Sequence, residues 1–262
     1  METTKEELVS IIMPSYNCGK YVYETIRSVQ AQSYKNWEII FVDDCSSDDS
    51  ISKVTKLREK DSRIRLFQNK INSGAAVSRN NALREARGRW IAFLDSDDLW
   101  EPTKLEKQVR FMEENGYKFS YTCYQEMDVL GNLTGVEVSG PKHVTQARMF
   151  AFCWPGCLTV MYDASAVGLI QIEDIKKNND YAMWLKVCKK ADCYLLDECL
   201  AKYRRGRSGS ISTHGYKTLI KWHYKLFHDA EHMSPASSAF MTGVNLFFGF
   251  IKKMIYVKTV VK

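Results

Sequence analysis

The chain has 262 residues, of which 45% are hydrophobic and 26% are charged. This composition is typical of globular proteins and excludes a fibrous, low-complexity or mostly disordered chain. The formal net charge is +6, but seven Lys and Arg and no acidic residue fall within 199–228, so the excess positive charge lies in the C-terminal third.

The first 115 residues predict strands and helices in alternation. Short apolar runs predict the strands, and apolar residues at a 3.6-residue period predict the helices between them. We predict strands at 8–13, 37–42, 64–67 and 90–94, and helices at 21–32, 51–57, 73–86 and 102–114. This alternation is typical of an α/β fold, in which helices cover a parallel sheet.

The second half of the chain has a less regular pattern. We predict strands at 119–124, 158–162 and 194–196, helices at 178–190, 214–230 and 234–256, and a mobile loop rich in Arg, Ser and Gly at 202–213. None of the eight cysteines forms a CxxC pair, so we expect free thiols.

Polar clusters follow three predicted strands, at 14–17, at Asp43-Asp44 and at 95–98. Ligands of parallel sheets bind beyond the carboxyl ends of the strands, so we expect these clusters to share one edge. In Asp95-Ser-Asp-Asp98 three carboxylates repel one another, which costs free energy unless a cation lies there. Mg²⁺ and Mn²⁺ bind few carboxylates together with phosphate oxygens, so the cluster predicts a metal that bridges protein and diphosphate. The alternative is a solvated turn with a helix cap.

Four segments carry a resemblance to a known family: 9–17, 41–48, 74–80 and 93–98. In this order and at these spacings they resemble the inverting family 2 glycosyltransferases of bacterial surface glycans. The resemblance is strong over 8–115 and extends to about residue 211. It implies the GT-A fold, a Rossmann-like and mostly parallel central sheet flanked by helices, and a nucleotide-sugar donor used with a divalent metal.

The same resemblance predicts the division of the chain. We expect a GT-A glycosyltransferase domain at 1–211, with a nucleotide-sugar-binding half at 8–115 and an acceptor-side half at 116–211. Residues 212–262 would form a basic, amphipathic helical extension at the C-terminus.

The resemblance also implies roles for residues of the donor half. Pro14 and Tyr16 would line the nucleobase. Asp44 would accept a hydrogen bond from the base's ring N–H, which suits uracil, with its neighbour Asp43 as the alternative acceptor. A turn with a helix cap is the other possibility for this pair. Arg79 would approach the base or the diphosphate, unless it is a surface arginine of its helix.

The acidic cluster would be the DxD motif of this family. Asp95 and Asp97 form the motif, and Asp95 would contact the donor. Asp97 would bind Mn²⁺ or Mg²⁺. Asp98 would share the metal or contact the ribose.

Asp180 falls on the position of the family's catalytic base, in a segment, 178–185, that resembles the start of the acceptor-side helix. An acceptor hydroxyl is a poor nucleophile, so a carboxylate must take its proton as the new bond forms. Inversion requires that base to lie opposite the leaving group. Asn179 stands where the family usually has Glu. A helix N-cap is the alternative role for Asp180.

Residues 203–212 resemble the family's loop that closes over the donor. Arginine binds phosphate through a planar fork of donors, so Arg204, Arg205 and Arg207 are candidate diphosphate contacts. Gly206 and Arg207 stand where a His is usual. The alternative is a solvated basic loop.

The C-terminal residues 245–262 mix large apolar side chains with Lys. Such a segment can lie in the headgroup plane of an anionic membrane, or it can pack on the body or on a second copy. No apolar run is long enough to span a bilayer, and the N-terminus has no secretory pattern. We therefore expect a cytoplasmic protein, with peripheral contact at the cytoplasmic membrane face as an open alternative.

These observations predict a metal-dependent inverting glycosyltransferase that uses a UDP-sugar. Its acceptor would be a hydroxyl of a glycan or lipid-linked molecule in polysaccharide or lipopolysaccharide biosynthesis. Two other classes are a non-catalytic regulatory module that binds nucleotide or metal, and a nucleic-acid-binding protein that uses residues 199–228. The acidic body of the chain opposes the latter, so we expect no nucleic-acid partner.

Overall fold

The computed structural model describes residues 6–206 and 216–260. The N-terminal half has the predicted alternation, and its strands and helices lie within a few residues of the expected positions, with one unpredicted two-residue strand at 99–100. They are β1 (Val9–Ser15), α1 (Val22–Gln30), β2 (Trp37–Asp43), α2 (Ser50–Arg58), β3 (Ile64–Gln68), α3 (Ala75–Glu85), β4 (Trp90–Phe93), β5 (Leu99–Trp100) and α4 (Lys104–Asn115).

The C-terminal half holds longer strands and several elements that the sequence reading lacked. The elements of this half are β6 (Phe119–Met127), β7 (Leu133–Val138), β8 (His143–Val144), α5 (Gln146–Ala151), β9 (Met161–Asp163), α6 (Ala164–Val167), α7 (Asn179–Cys188), β10 (Cys193–Arg204), α8 (Tyr216–Lys225), α9 (Pro235–Ile255) and β11 (Val257–Thr259), of which β7, β8, α5, α6 and β11 have no predicted counterpart. The prediction of a strand at 158–162 was wrong in part, because a 3₁₀ turn at Cys157–Thr159 precedes β9. The loop predicted at 202–213 begins as strand, since β10 continues to Arg204.

One sheet runs through both halves, in the order β11-β7-β6-β9-β4-β1-β2-β3, and β10 pairs with β5, β6 and β8. It is parallel from β4 to β3. Beyond β4 the neighbours β9, β6, β7 and β11 are antiparallel, and β10 runs parallel to β6. The mostly parallel character expected for the whole sheet therefore holds only for the strands from β4 to β3, in the N-terminal half.

The two faces of the sheet bury separate apolar clusters, because successive side chains of a strand point to opposite faces. Ile11 and Met13 of β1 lie in one cluster, with α1, α2 and α4. Ile12 lies in the other, where Phe93 meets Trp184 of α7 edge-to-face at 5.0 Å between ring centroids. Burial of aromatic and branched side chains on both faces fixes the strand ends relative to α7.

The C-terminal residues join the body of the protein. A short π-helix, Leu226–Ala230, follows α8, and α9 begins at Pro235 behind the cap residue Ser234, whose hydroxyl accepts from the Ser237 N–H at 3.3 Å. β11 then adds an edge strand beside β7. Part of the extension predicted at 212–262 thus shares the central sheet. Among the described residues no helix is long and apolar enough to cross a membrane.

Candidate active site

The three polar clusters lie together at the carboxyl ends of β1, β2 and β4. Ser15 is paired in register with Asp43, and Ile12 is paired with Phe93. The backbone N–H of Asp44 donates to the carbonyl of Ser15 at 2.8 Å. Parallel pairing therefore brings the turns after these strands to one edge of the sheet, as the sequence predicted.

Asp44 is buried and fixes the loop that leads into α3. One carboxylate oxygen accepts from Asn69 Nδ2 and from the Ser73 N–H, each at 2.8 Å. The other accepts from the Gly74 N–H at 2.7 Å. Gly74 has φ +88°, a conformation that residues with a Cβ rarely adopt. The aspartate and the glycine together set the start of α3, the helix that carries Arg79.

Asp43 differs from Asp44 because only one of its two carboxylate oxygens accepts a hydrogen bond from the described residues. Its Oδ2 accepts from the Ser46 N–H at 2.9 Å. Its Oδ1 is buried and has no hydrogen-bond partner among the described residues. A buried acceptor without a donor is destabilising, so this oxygen is a candidate for a ligand N–H at the edge of the sheet.

Tyr16 stands at the same edge, 48% exposed, directly after the buried end of β1 that holds Pro14. Its loop is fixed by the loop after β2, because Asn17 Oδ1 accepts from the Ser47 N–H at 2.9 Å. An exposed ring on an ordered loop offers a flat surface for a planar ligand.

The acidic loop presents its three carboxylates differently. Asp98 is 1% exposed and accepts from the backbone N–H of Arg204 at 2.8 Å. Burial, together with Asp97 and Asp95, raises the pKa of Asp98 well above its ordinary value. Asp95 and Asp97 are partly exposed. A divalent cation would relieve the repulsion among these groups, so the donor set fits Mg²⁺ or Mn²⁺.

The metal would have few protein ligands. Within the described ranges, no three His, Cys, Asp or Glu side chains converge closely enough to enclose an ion. Mg²⁺ keeps several waters and binds one or two carboxylates plus phosphates, so a site completed by a diphosphate suits this loop.

Arg204 contacts the backbone of the acidic loop and holds it in place. Its Nε donates to the carbonyl of Asp97 at 2.8 Å, its NH2 group pairs with Glu24 at 2.8 Å, and its guanidinium lies over the ring of Tyr21. The side chain is almost completely buried. These contacts make Arg204 a residue that positions the loop, a role that the sequence reading did not foresee.

The other two arginines of that segment differ from Arg204. Arg205 is half exposed and pairs with Glu126 at 2.7 Å. Arg207 lies outside the described residues.

Arg79 joins the two halves of the site. Its guanidinium donates to Asp95 Oδ1 at 2.6 Å and to Asn179 Oδ1 at 2.8 Å, and the side chain is buried. Burial opposes its charge, but Asp95, with Asp180 as a further charged neighbour, raises the pKa of Arg79 above its usual value. Arg79 is thus a buried cation between the acidic loop and the start of α7. Asn179, which the sequence reading noted only as a departure from the family, is its neutral acceptor.

Asp180 lies in the first turn of α7, partly exposed, with Oδ1 accepting from the N–H of Tyr181 at 2.9 Å. Asn178 occupies the N-cap position with a left-handed backbone, and its side chain accepts no hydrogen bond from the first turn of the helix. A carboxylate at a helix N-terminus is favoured by the helix dipole.

Cys157 is a site residue that the sequence reading missed. Burial raises the pKa of its thiol, and Arg79, Asp95 and Asp180 are among its charged neighbours. The thiol therefore stays neutral. No spacing signal in the sequence links Cys157 to the acidic loop, because the chain returns to it only through the 3₁₀ turn before β9.

Trp154 is buried near the C-terminal helix α9 and offers no exposed ring to a ligand. It contacts Phe152, Phe248 and Tyr256 edge-on, and its indole N–H donates to the carbonyl of Arg148 at 2.9 Å. Trp154 is therefore part of the packing between the body of the protein and α9.

Comparison with known proteins agrees with this arrangement. The model of glycosyl transferase family 2 matches residues 10–136. The chain is 42% identical over 220 residues to TuaG of Bacillus subtilis, a glycosyltransferase assigned to teichuronic acid biosynthesis, covering 84% of this chain and 87% of TuaG. It is also 42% identical over 216 residues to WfaP of Escherichia coli, a UDP-Glc:α-D-GlcNAc-diphosphoundecaprenol β-1,3-glucosyltransferase, covering 82% of this chain and 84% of WfaP.

A solved structure shares the fold. The crystal structure of residues 1–349 of Staphylococcus aureus TarS with UDP-GlcNAc superposes with a TM-score of 0.70 at 21% identity, covering 94% of this chain and 73% of that one. The predicted GT-A architecture and the predicted transferase class are both confirmed. The chain belongs to glycosyltransferase family 2.

Proposed function

We propose that this glycosyltransferase is metal-dependent and inverting, and that it transfers a sugar from a UDP-sugar to a hydroxyl of a lipid-linked glycan in cell-surface polysaccharide biosynthesis. The names of TuaG and WfaP support the pathway and the acceptor, and WfaP and the UDP-GlcNAc complex of TarS support the uridine donor. These names describe other proteins, so the proposal depends on whether the residues of this chain suit the reaction.

The contact that carries the proposal is the pair of bonds from Arg79 to Asp95 and Asn179. It holds the loop suited to a diphosphate next to the helix start that carries Asp180. A transferase needs these two groups close together, because the leaving diphosphate and the attacking hydroxyl meet at one anomeric carbon.

Donor binding is assigned to the edge of the sheet. Asp43 Oδ1 would accept from the ring N–H of uracil, since it is the buried oxygen without a partner among the described residues. The exposed ring of Tyr16 would stack on the base, above the buried Pro14. Asp44 would act by holding the loop between β3 and α3 in place.

Asp97 and Asp98 would hold Mn²⁺ or Mg²⁺. Such an ion would stabilise the negative charge of the departing diphosphate as a Lewis acid. Asp95 would keep Arg79 in place while facing the donor, and Arg204 would keep the loop backbone fixed. Arg207 stays a predicted diphosphate contact.

Asp180 would be the general base. Its partly exposed carboxylate can accept the proton of the acceptor hydroxyl, and Asn179, the residue before it, is bonded to the buried Arg79. Attack on the face opposite the diphosphate would give inverted configuration at the anomeric carbon. A lipid-linked acceptor lies in a bilayer, so we also propose that the protein works against a membrane surface.

Calorimetric titration of the intact protein with UDP, and then with GDP, tests the donor half. We expect UDP to bind in the presence of Mn²⁺, GDP to bind at least tenfold more weakly, and UDP binding to weaken at least tenfold without metal. Asp97→Ala should remove the effect of Mn²⁺. Asp174→Ala is the matched control, because Asp174 is an exposed carboxylate near α7.

Equal UDP affinity with and without Mn²⁺, or an unchanged metal effect in Asp97→Ala, would contradict the metal site. Stronger binding of GDP than of UDP would contradict the assignment of a uridine donor.

A further inference from the structure

The helix α9 has one buried face and one exposed apolar face. Its buried positions Ser238, Thr242 and Asn245 contact the body of the protein. Large apolar side chains repeat on the other side at spacings of seven, three and four residues, which places them in one stripe. They are Phe240, Phe247, Phe250 and Met254, with 60–70% of each side chain exposed. The stripe is about 21 Å long at 1.5 Å per residue.

The buried face fixes the stripe relative to the active site. Asn245 Nδ2 donates to the hydroxyl of Tyr181 at 2.9 Å, and that hydroxyl donates to the carbonyl of Met149 at 2.7 Å. Tyr181 follows Asp180 directly in α7. Lys252 donates to the carbonyl of Trp154 at 2.6 Å. The helix is therefore bonded into the core beside the residue that we assign as the base, and its exposed face is presented outward by a rigid support.

The surroundings of the stripe are basic. Residues 216–260 contain six lysines and two acidic residues. Lys217, Lys221 and Lys225 are exposed on α8, which packs against α9, and Lys253 is exposed beside Met254. The two acids are engaged, Asp229 with Lys225 at 3.9 Å and Glu231 with Lys189 at 2.7 Å.

We propose that the outward face of α9 is a membrane-docking surface that lies in the headgroup plane of an anionic bilayer. Aromatic side chains enter the boundary between headgroups and acyl chains, and lysines near them contact anionic lipid, which is the pattern of in-plane amphipathic helices. A second copy fits this face less well, because two such surfaces would bring lysines of like charge together.

This proposal deepens the proposed membrane-bound acceptor by naming the surface that meets the bilayer. Docking through α9 would hold Asp180 at a fixed height above the lipid, because the bond from Asn245 to Tyr181 links the helix to α7.

Co-sedimentation of the full chain with sucrose-loaded vesicles tests the surface. The vesicles contain phosphatidylcholine with either 30% phosphatidylglycerol or none. The variant carries Phe247→Ser, Phe250→Ser and Met254→Ser. The control carries Leu130→Ser and Leu169→Ser, which change exposed apolar side chains elsewhere.

We expect the wild type and the control to bind the anionic vesicles, and the α9 variant to bind at least tenfold more weakly. Neutral vesicles should bind the wild type more weakly than anionic ones, and replacing Lys253 with Gln should lower binding to anionic vesicles about fivefold. Unchanged UDP affinity of the α9 variant would show that the fold is intact.

Absence of binding by the wild type, or equal binding by the α9 variant, would overturn the proposal. So would a wild-type dimer in light scattering that dissociates in the α9 variant, since a second copy would then cover this face. Transfer to a short, detergent-solubilised acceptor is measured separately, so a failure of vesicle binding is distinguishable from a failure of the proposed reaction.

Discussion

The donor and acceptor sides of the proposed active site are built by different kinds of contact. On the donor side, carboxylates accept from backbone N–H groups and side chains of adjacent loops, as Asp44 does with Ser73 and Gly74. On the acceptor side, side chains far apart in sequence meet, as Arg79 does with Asn179. The donor edge is therefore part of the sheet itself, whereas the acceptor side depends on how α7, α8 and α9 dock onto it. Changes on the acceptor side should affect turnover without disturbing nucleotide binding.

The largest effect should come from Asp180→Asn. An amide cannot take the proton of the acceptor hydroxyl, so turnover should fall roughly 10²–10⁴-fold, the usual scale for a lost general base. UDP affinity should stay within twofold of wild type, because Asp180 is assigned to the acceptor. Initial rates with a lipid-linked acceptor and calorimetry with UDP give the two quantities.

Asp174→Asn is the control for charge alone, because Asp174 is exposed and lies six residues before Asp180. It should retain wild-type turnover. If Asp180→Asn also retained wild-type turnover, Asp180 would not be the base, and if it lost UDP binding the separation of the two sides would fail.

A smaller effect, on stability and donor binding together, is expected for Asp44→Asn. The amide nitrogen must face one of the N–H donors that Asp44 now accepts, so one buried hydrogen bond to a charged group is replaced by two opposed donors. The free energy of unfolding should fall by about 3 kcal/mol. UDP binding should weaken, because the loop that begins α3 is released.

Chemical denaturation measures the decrease in unfolding free energy of Asp44→Asn. Asp49→Asn serves as the control, because Asp49 is an exposed carboxylate paired with Lys53, and such surface pairs contribute little. An Asp44→Asn protein as stable as this control would mean that the loop does not depend on the carboxylate.

Much of the donor side could be predicted from the sequence, because its signals are local. A buried strand followed at once by acids, as in Trp90–Phe93 before Asp95, indicates both the strand and the edge where the acids lie. Parallel pairing then brings together the ends of consecutive strands, so the convergence of Asp43 with Asp95 needed no knowledge of distant contacts.

Contacts between distant segments of the chain could not be predicted in the same way. The sequence predicts a loop at Arg204, yet β10 continues to this residue because β6 offers a partner strand 77 residues earlier in the chain. Arg79 and Asn179 are 100 residues apart, and a single sequence has no local signal for such a pair. The edge strands β7 and β11 are also set by pairing alone.

The two sides should also respond differently to low pH, because of His223 of α8. Burial lowers the pKa of His223 to about 4, and Asn178, the cap residue of α7, lies 3.4 Å from its Nδ1. In the unfolded chain the imidazole has its ordinary pKa of about 6.5. Below that pH the imidazole is protonated in the unfolded state but stays neutral in the native state. The free energy of unfolding is therefore unaffected by His223 above pH 6.5 and decreases as the pH falls towards 4.

Replacing His223 with Gln should therefore remove about 2 kcal/mol of the fall in unfolding free energy between pH 7 and 4.5. His232→Asn is the control, because His232 is exposed and its left-handed backbone suits Asn. Denaturant curves at both pH values, with wild type, variant and control in one buffer series, give the difference directly. Since α8 packs near the start of α7, acid should weaken the acceptor side first, and turnover should be lost at a higher pH than UDP binding. Equal pH dependence in wild type and His223→Gln would instead place the acid-sensitive contacts elsewhere, and would remove α8 from the account of what holds Asp180 in position.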